Sequence, residues 1–311
     1  MLEGSRTPSG GIDLDMAHLE LIPKKDISSF RKLAIGSWQT AYDPTVYGTL
    51  SLRMEKALAY IEAFREKTGI RLTVTHLVAK AMAEALRRCP EANAILRFNT
   101  IYLRKRITIS TLVVQTDDGK VDLTAAKIDD AEQKSLREIS AELEAAVRKV
   151  RERRDVSLEK SKGTIQKIPF IFLNLFTKLL SFFLYTLNLD MSAFGMPKDA
   201  FGSVVITNVG SLGLDTAYVP LVPYTRVPIF IAPGAVKDVP VVEEGKVVPG
   251  KVMNVNASFD HRFIDGYHAS VLANTLREML ENPFEHFDEL DEVAPVLPAG
   301  DTGKPPVSAV G

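Results

Sequence analysis

The chain has 311 residues, 46% of them hydrophobic and 25% charged, with 38 Lys or Arg against 39 Asp or Glu and a formal charge of -1. That length allows one large α/β domain or two small ones, and the composition excludes wholesale disorder. The balanced charge leaves no global basic field for nucleic acid. The single cysteine, Cys89, excludes an intramolecular disulfide and a Cys-rich zinc site, and the N-terminus MLEGSRTPSGG lacks the apolar stretch of a signal peptide. A cytoplasmic protein is the expectation.

Residues 1–25, rich in Gly, Ser and Pro, read as a flexible lead-in. Helical spacing of Phe30, Leu33, Ala34 and Trp38 follows, and Val46–Leu52 alternates as a strand does. Met54–Lys67 and the Ala-rich Thr73–Arg88 predict helices, the second stopped by Cys89-Pro90. Thr100–Leu103 and Ile107–Gln115 predict strands, with a turn at Asp117-Asp118-Gly119, and Ser135–Arg154 predicts a long charged helix. Ile168–Leu189 is the most apolar stretch. Strands are predicted at Gly202–Asn208, Val227–Ile231, Val239–Val242 and Lys251–Ser258, and a last helix from about Tyr267 to Leu280 stops before Pro283. Residues 291–311 are rich in Pro and Gly and read as a disordered tail.

The sharpest chemical constellation is Ser258-Phe-Asp-His-Arg-Phe-Ile-Asp-Gly266, between a predicted strand and a predicted helix. A strand end can aim a side chain, and Gly266 would let the backbone turn sharply into the helix. His261 is therefore a candidate base, because an imidazole exchanges a proton near neutral pH. From the residues alone, an ordinary core or surface histidine is the more common reading, and spacing does not overturn it.

Asp260-His-Arg-Phe-Ile-Asp-Gly266 resembles the DHRxxDG signature of the acyltransferase (E2) component of 2-oxo acid dehydrogenase complexes, a family related to chloramphenicol acetyltransferase. Arg31-Lys32, Leu72-Thr-Val-Thr75, Cys89-Pro-Glu-Ala-Asn93, Lys134-Ser-Leu136 and Phe201-Gly-Ser-Val-Val-Ile-Thr-Asn-Val-Gly210 resemble further blocks of the same catalytic domain in the same order. The resemblance covers roughly residues 26–290. It implies a two-layer α/β sandwich, a mixed β-sheet covered by helices, assembled as a homotrimer with active sites between subunits.

The resemblance also implies roles. His261 would take the proton from a thiol, whose thiolate attacks an acyl thioester. Thr207 would donate to the resulting oxyanion, although its residue type also fits an ordinary strand end. Asp265 would hold the catalytic loop, with Arg31 as its candidate partner, and Arg262 and Gly266 would be structural supports. CoA or acyl-CoA is the implied substrate. His18, His76, His268 and His286 show no metal-ligand spacing and are read as non-catalytic, so no metal is expected.

Three departures from the family qualify this reading. Only residues 1–25 precede the catalytic domain, where typical E2 chains carry a lipoyl domain, so any lipoyl group is expected in trans, from a separate carrier protein. This absence keeps open acylation of a small molecule in the manner of chloramphenicol acetyltransferase, and a non-catalytic trimeric scaffold is the reading from another class. The acidic stretch Glu285–Glu292 lacks the apolar knob that links trimers in large E2 cores, so assembly is expected to stop at three chains. Finally, Ile168–Leu189 forms an apolar helical insertion at 168–189, greasier than the family leads one to expect. Asn174, Thr177, Lys178, Ser181, Tyr185 and Asn188 would give it a narrow polar stripe, which disfavours a membrane-spanning helix. The remaining choices are a helix buried against the domain or its neighbours and one lying on a partner or an anionic membrane surface, which would make the protein peripherally membrane-associated.

Overall fold

The computed structural model describes residues 18–25, 44–117, 120–151, 169–194 and 196–290. Ten strands are seen among them: β1 (Leu21–Pro23), β2 (Thr45–Arg53), β3 (Ala94–Arg97), β4 (Thr100–Arg104), β5 (Ile109–Asp117), β6 (Lys120–Ile128), β7 (Val204–Ile206), β8 (Ile229–Pro233), β9 (Lys237–Glu243) and β10 (Lys246–Asp260). The main helices are α1 (Glu55–Thr68), α2 (Val74–Arg88), α3 (Leu136–Arg151), α4 (Phe170–Ser181) and α5 (Gly266–Glu281). The main sheet runs β2-β10-β8-β7-β5-β6, with β9 on the first half of β10. The β5–β7 and β7–β8 pairs are parallel, and the β2–β10, β10–β8, β10–β9 and β5–β6 pairs antiparallel. This is the expected mixed α/β sheet.

Period-two alternation sorts the strand residues between two apolar layers. Val204, Ile206, Ile229 and Ile231 point into the large core with Tyr60 and Phe64 of α1, Met82 and Leu86 of α2, and Leu272 and Leu276 of α5. Val205 and Phe230 point the other way, into a smaller cluster with Val227 that is covered by Val219, Leu221 and Val222 of a loop. Helices thus cover one face and a loop segment packs on the other. Three chain segments meet beside β7 where side chains are missing: a Cβ on Gly210 would stand 2.3 Å from the Gly234 carbonyl oxygen, and one on Gly234 would stand 2.3 Å from that of Asp215.

Several elements differ from the sequence expectations. Residues 18–25, expected within the loose lead-in, include β1, the edge of a separate antiparallel sheet ordered β1-β4-β3. Residues 1–17 lie outside the described part, as do the helical spacing at 30–38, Arg31, Asp118-Gly119 of one expected turn, and the expected tail at 291–311. β3 and β4 form a hairpin through Phe98 and Asn99, both at positive φ (47° and 59°), a two-residue turn that sequence reading passed over. β6 was also missed, because Ala125-Ala126 dilutes its strand signal. The expected strand Gly202–Asn208 is only Val204–Ile206, whereas the last strand grows to 15 residues, because Pro249-Gly250 pairs with Pro240 and Val239 rather than breaking it.

The insertion is helical, but not uniformly so. After α4 the chain widens into a π turn at Phe182–Thr186, with the Leu187 N–H bonded to the Phe182 carbonyl at 2.8 Å. Leu184 and Tyr185 then pack with Leu19 and Ile95 as a cluster of their own. Asn188 fastens the N-terminal segment: its Oδ1 accepts from the Leu19 N–H at 2.6 Å and its Nδ2 donates to the Leu19 carbonyl at 2.8 Å. Beside it His18 is buried edge-on against Tyr185, and its Nε2 accepts from the Asp199 N–H at 3.1 Å.

Burial lowers the His18 pKa from its ordinary 6.5 to about 4, and burial does the same for His76, whose Nδ1 accepts from the Thr73 N–H at the start of α2. Both rings are thus neutral in the fold and readily protonated in the unfolded chain. Their contribution is complete above about pH 6.5 and is lost as the pH falls towards about 4. Thermal melting across that window should show a steady fall in Tm, and His76→Gln or His18→Gln should flatten it; an unchanged slope in both variants would contradict the assignment. Gly210→Ala and Gly234→Ala should each cost about 1–3 kcal/mol in denaturant unfolding, since backbone rather than a flexible side chain must give way.

Candidate functional site

The sequence Asp260–Gly266 occupies the exit of the longest strand, and its residues divide the work of holding that exit. β10 lies between β2 and β8, with Phe259 opposite both Val46 and Ile229. Just beyond, the Asp260 N–H donates to the Pro228 carbonyl at 3.0 Å and the His261 N–H to the Pro44 carbonyl at 2.7 Å. The Asp260 carboxylate grips the Arg262 guanidinium through Nε at 2.9 and 3.1 Å and accepts from the Arg262 N–H at 3.0 Å. Both side chains are buried. Phe263 and Ile264 are buried in the large core. A second guanidinium, Arg226, lies near this pair; burial and the neighbouring Arg262 charge lower its pKa, and its Nε donates to Ser181 Oγ at 3.0 Å.

Asp265 starts the next helix. In extended conformation it accepts from the Tyr267 and His268 N–H groups at 3.0 and 3.3 Å, and its Oδ1 lies 2.6 Å from His268 Nδ1. The other His268 nitrogen lies 3.0 Å from Glu91 Oε2, and Glu91 also pairs with Lys24. The loop is thus tied to the turn after α2. Sequence reading passed over this network, although an Asp at the N-cap with a polar residue three positions on is a recognisable capping pattern. The expected Arg31 partner of Asp265 lies outside the described residues. The expectation for Gly266 is corrected: it lies at the first position of α5 without positive φ, and a Cβ there would meet nothing within 4 Å, because Asp265 makes the bend. Arg262 is held in the buried pair with Asp260.

Among these residues His261 sits at the exit of β10 with its ring half-buried. Thr207 follows β7 directly, half-buried, with its N–H donating to the Ile231 carbonyl at 2.9 Å. The next residue anchors the turn: Asn208 Nδ2 donates to Thr75 Oγ1 at 2.9 Å and its Oδ1 accepts from the Ser211 N–H at 3.0 Å. Two sequence blocks far apart in the chain, Leu72–Thr75 and Phe201–Gly210, therefore meet.

Thr207 and His261 do not meet within one chain. Ile206 pairs with Ile231 and Ile231 with Ala257, so Thr207, one residue on, lies level with Asn256, two strands across the sheet, while His261 lies five residues further along β10. At about 3.4 Å per residue and about 4.8 Å per strand, the two are about 20 Å apart, towards opposite ends of the strands. A reaction that uses both needs the His261 of one copy and the Thr207 of another.

Fold and site together define an α/β acyltransferase-type catalytic domain with a histidine at a strand exit. The chain belongs to the 2-oxoacid dehydrogenases acyltransferase (catalytic domain) family, whose model matches residues 25–166 and 198–287 and so leaves out 167–197. It is 26% identical over 216 residues to the dihydrolipoyllysine-residue acetyltransferase component of the pyruvate dehydrogenase complex of Bacillus subtilis, an alignment covering 69% of this chain and 39% of that protein. It is 26% identical over 224 residues to the dihydrolipoyllysine-residue succinyltransferase component of the 2-oxoglutarate dehydrogenase complex of Haemophilus influenzae, covering 72% and 44%. The chain thus spans about two fifths of the length of these curated relatives. Among solved structures, the dihydrolipoamide acetyltransferase of Azotobacter vinelandii shares the fold with a TM-score of 0.58 at 19% identity, covering 90% of this chain and 99% of that one. A truncated catalytic core of the 2-oxoacid dehydrogenase multienzyme complex from Thermoplasma acidophilum does so with a TM-score of 0.51 at 20% identity, covering 84% and 98%.

Asp260→Ala should destabilise the domain by about 3–5 kcal/mol, because it leaves the Arg262 guanidinium buried without its carboxylate and close to Arg226. Denaturant unfolding checks this, and a loss below about 1 kcal/mol would place the pair at a solvated surface instead.

Proposed function

We propose that the chain is a CoA-dependent acyltransferase of the 2-oxo acid dehydrogenase E2 type, moving an acyl group between a dihydrolipoyl or other thioester carrier and CoA. The supporting observation is the family match on both sides of the insertion, which includes the strand exit that presents His261. The His261 imidazole takes the proton from the acceptor thiol, and the thiolate adds to the carbonyl carbon of the acyl thioester. The resulting oxyanion accepts a hydrogen bond from the Thr207 hydroxyl of a neighbouring copy. Collapse expels the other thiol, which recovers its proton from the imidazolium.

Within this proposal Asp265 is a positioning residue: its carboxylate caps α5 and holds the backbone that follows His261. CoA is a substrate, and a lipoyl group is the second carrier. The assembly is a homotrimer, in which one repeated head-to-tail contact sets the His261 of each copy against the Thr207 of the next.

Acyl transfer from acetyl-, succinyl- and branched-chain acyl-CoA to dihydrolipoamide is the direct test. His261→Ala should lower turnover by about 10²–10⁴ while leaving the melting profile intact. Thr207→Ala should lower kcat rather than raise KM, by about 10²–10³, because the oxyanion exists only near the transition state. Wild-type turnover in His261→Ala, or acylation confined to small hydroxyl or amine acceptors, would overturn the proposal. Refolding the two inactive variants together provides a second check. In mixed assemblies about a quarter of the sites pair an intact His261 with an intact Thr207 of another copy, so activity should return to about that fraction. A site within one chain would stay dead.

A further inference from the structure

The helix α4 is fastened to the domain at its C-terminal end, where Leu180 packs on the Leu19 and Ile95 cluster. There Ser181 Oγ accepts from half-buried Arg226, and beyond the helix Tyr185 and Asn188 are buried against His18 and Leu19, whereas Asn174 and Lys178 are exposed. Part of its apolar surface faces outward. Phe172, Leu175, Leu179, Phe182 and Phe183 are each between 39% and 56% exposed, and their spacing of three, four, three and one gathers them into one stripe about 100° wide. Exposed apolar surface of this extent is costly in water and marks a surface with a partner. The segment falls outside the family match, so it is a feature of this chain.

Charge favours one kind of partner. Residues 148–178, which lead into and along α4, hold nine Lys or Arg against three Asp or Glu in a chain whose formal charge is -1. Arg148 and Lys149 are exposed at the end of α3, and Lys178 is exposed on α4 beside the apolar stripe. A second copy set against this face would bring like charges, the exposed Lys178 ammonium groups, together. An anionic bilayer would neutralise them while accepting the Phe and Leu side chains. Among the described residues no helix is long and apolar enough to cross a membrane, and the 17 residues of α4 and its π turn lie along the domain surface rather than projecting from it.

We propose that the outer face of α4 is a membrane-docking surface, seated in the headgroup region of an anionic bilayer with Lys178 reaching back to the phosphates. The stripe supplies the apolar contact and the cations supply the lipid selectivity, so binding needs both. The proposal is independent of the acyl-transfer reading, since docking is measured without any substrate.

Flotation of the whole protein with vesicles of phosphatidylcholine alone, and with about one third phosphatidylglycerol added, tests it at low salt and at about 0.5 M salt. The expected result is flotation with anionic vesicles only, lost at high salt. Leu175→Glu with Leu179→Glu should reduce the bound fraction about tenfold with unchanged melting and unchanged mass by light scattering, because both side chains are exposed. Lys178→Glu should weaken binding at low salt and matter little at high salt. Three results would overturn the proposal: no flotation of the wild type, anionic binding that survives the Leu175/Leu179 double change, or a double variant whose assembled mass falls. The last would identify the stripe as a contact between copies.

Discussion

The register of β10 governs the placement of everything else. One 15-residue strand pairs with β9 along its first half and with β2 and β8 along its second, so it cannot slip by a residue without turning Met253, Val255 and Ala257 out of the core. Its exit is fixed on both sides by the Pro44 and Pro228 carbonyls. The next residues then have few choices: a buried carboxylate–guanidinium clasp, two apolar anchors and an aspartate that opens α5. His261 is rigid at the backbone because each of its neighbours is committed to structure. The same β8 that flanks this exit carries β7 on its other side, antiparallel to β10, which places Thr207 towards the opposite end of the strands. Separation of the two groups is therefore a consequence of sheet order, and the proposed shared site between copies rests on it.

What the sequence made legible was set by the strength of local signals. Helices α1 and α2 were predicted within one or two residues, because apolar periodicity and the Cys89-Pro90 stop act locally. The paired blocks around His261 and Thr207 were visible through family likeness, but not their mutual distance, which depends on long-range register. β1 and β3 were invisible because each is only three or four residues long and stable only against β4. Glu91 and His268 were overlooked as partners since 177 residues separate them. Gly266 was read as a backbone hinge because glycine after an acidic residue suggests one; Asp265, in ordinary extended conformation, makes the bend instead.

The insertion shows a limit of periodicity of a different kind. A polar stripe at residues 174–188 does not state which of its members meet the body. Ser181, Tyr185 and Asn188 are buried against Arg226, His18 and the Leu19 backbone, whereas Asn174 and Lys178 are exposed. Neighbours distant in the chain, not spacing, decide which part of the stripe is covered, and Phe172, Leu175 and Leu179 are left outward.

The central claim is that His261 works with the Thr207 of a neighbouring copy on a thiol substrate. The most direct measurement is an experimental structure of the assembled protein with CoA bound. The account predicts His261 Nε2 within hydrogen-bond reach of the CoA sulfur, about 3–3.5 Å, with the Thr207 hydroxyl of a second chain on the same side of that sulfur. A CoA thiol placed away from His261, or a site completed by the Thr207 of the same chain, would contradict it.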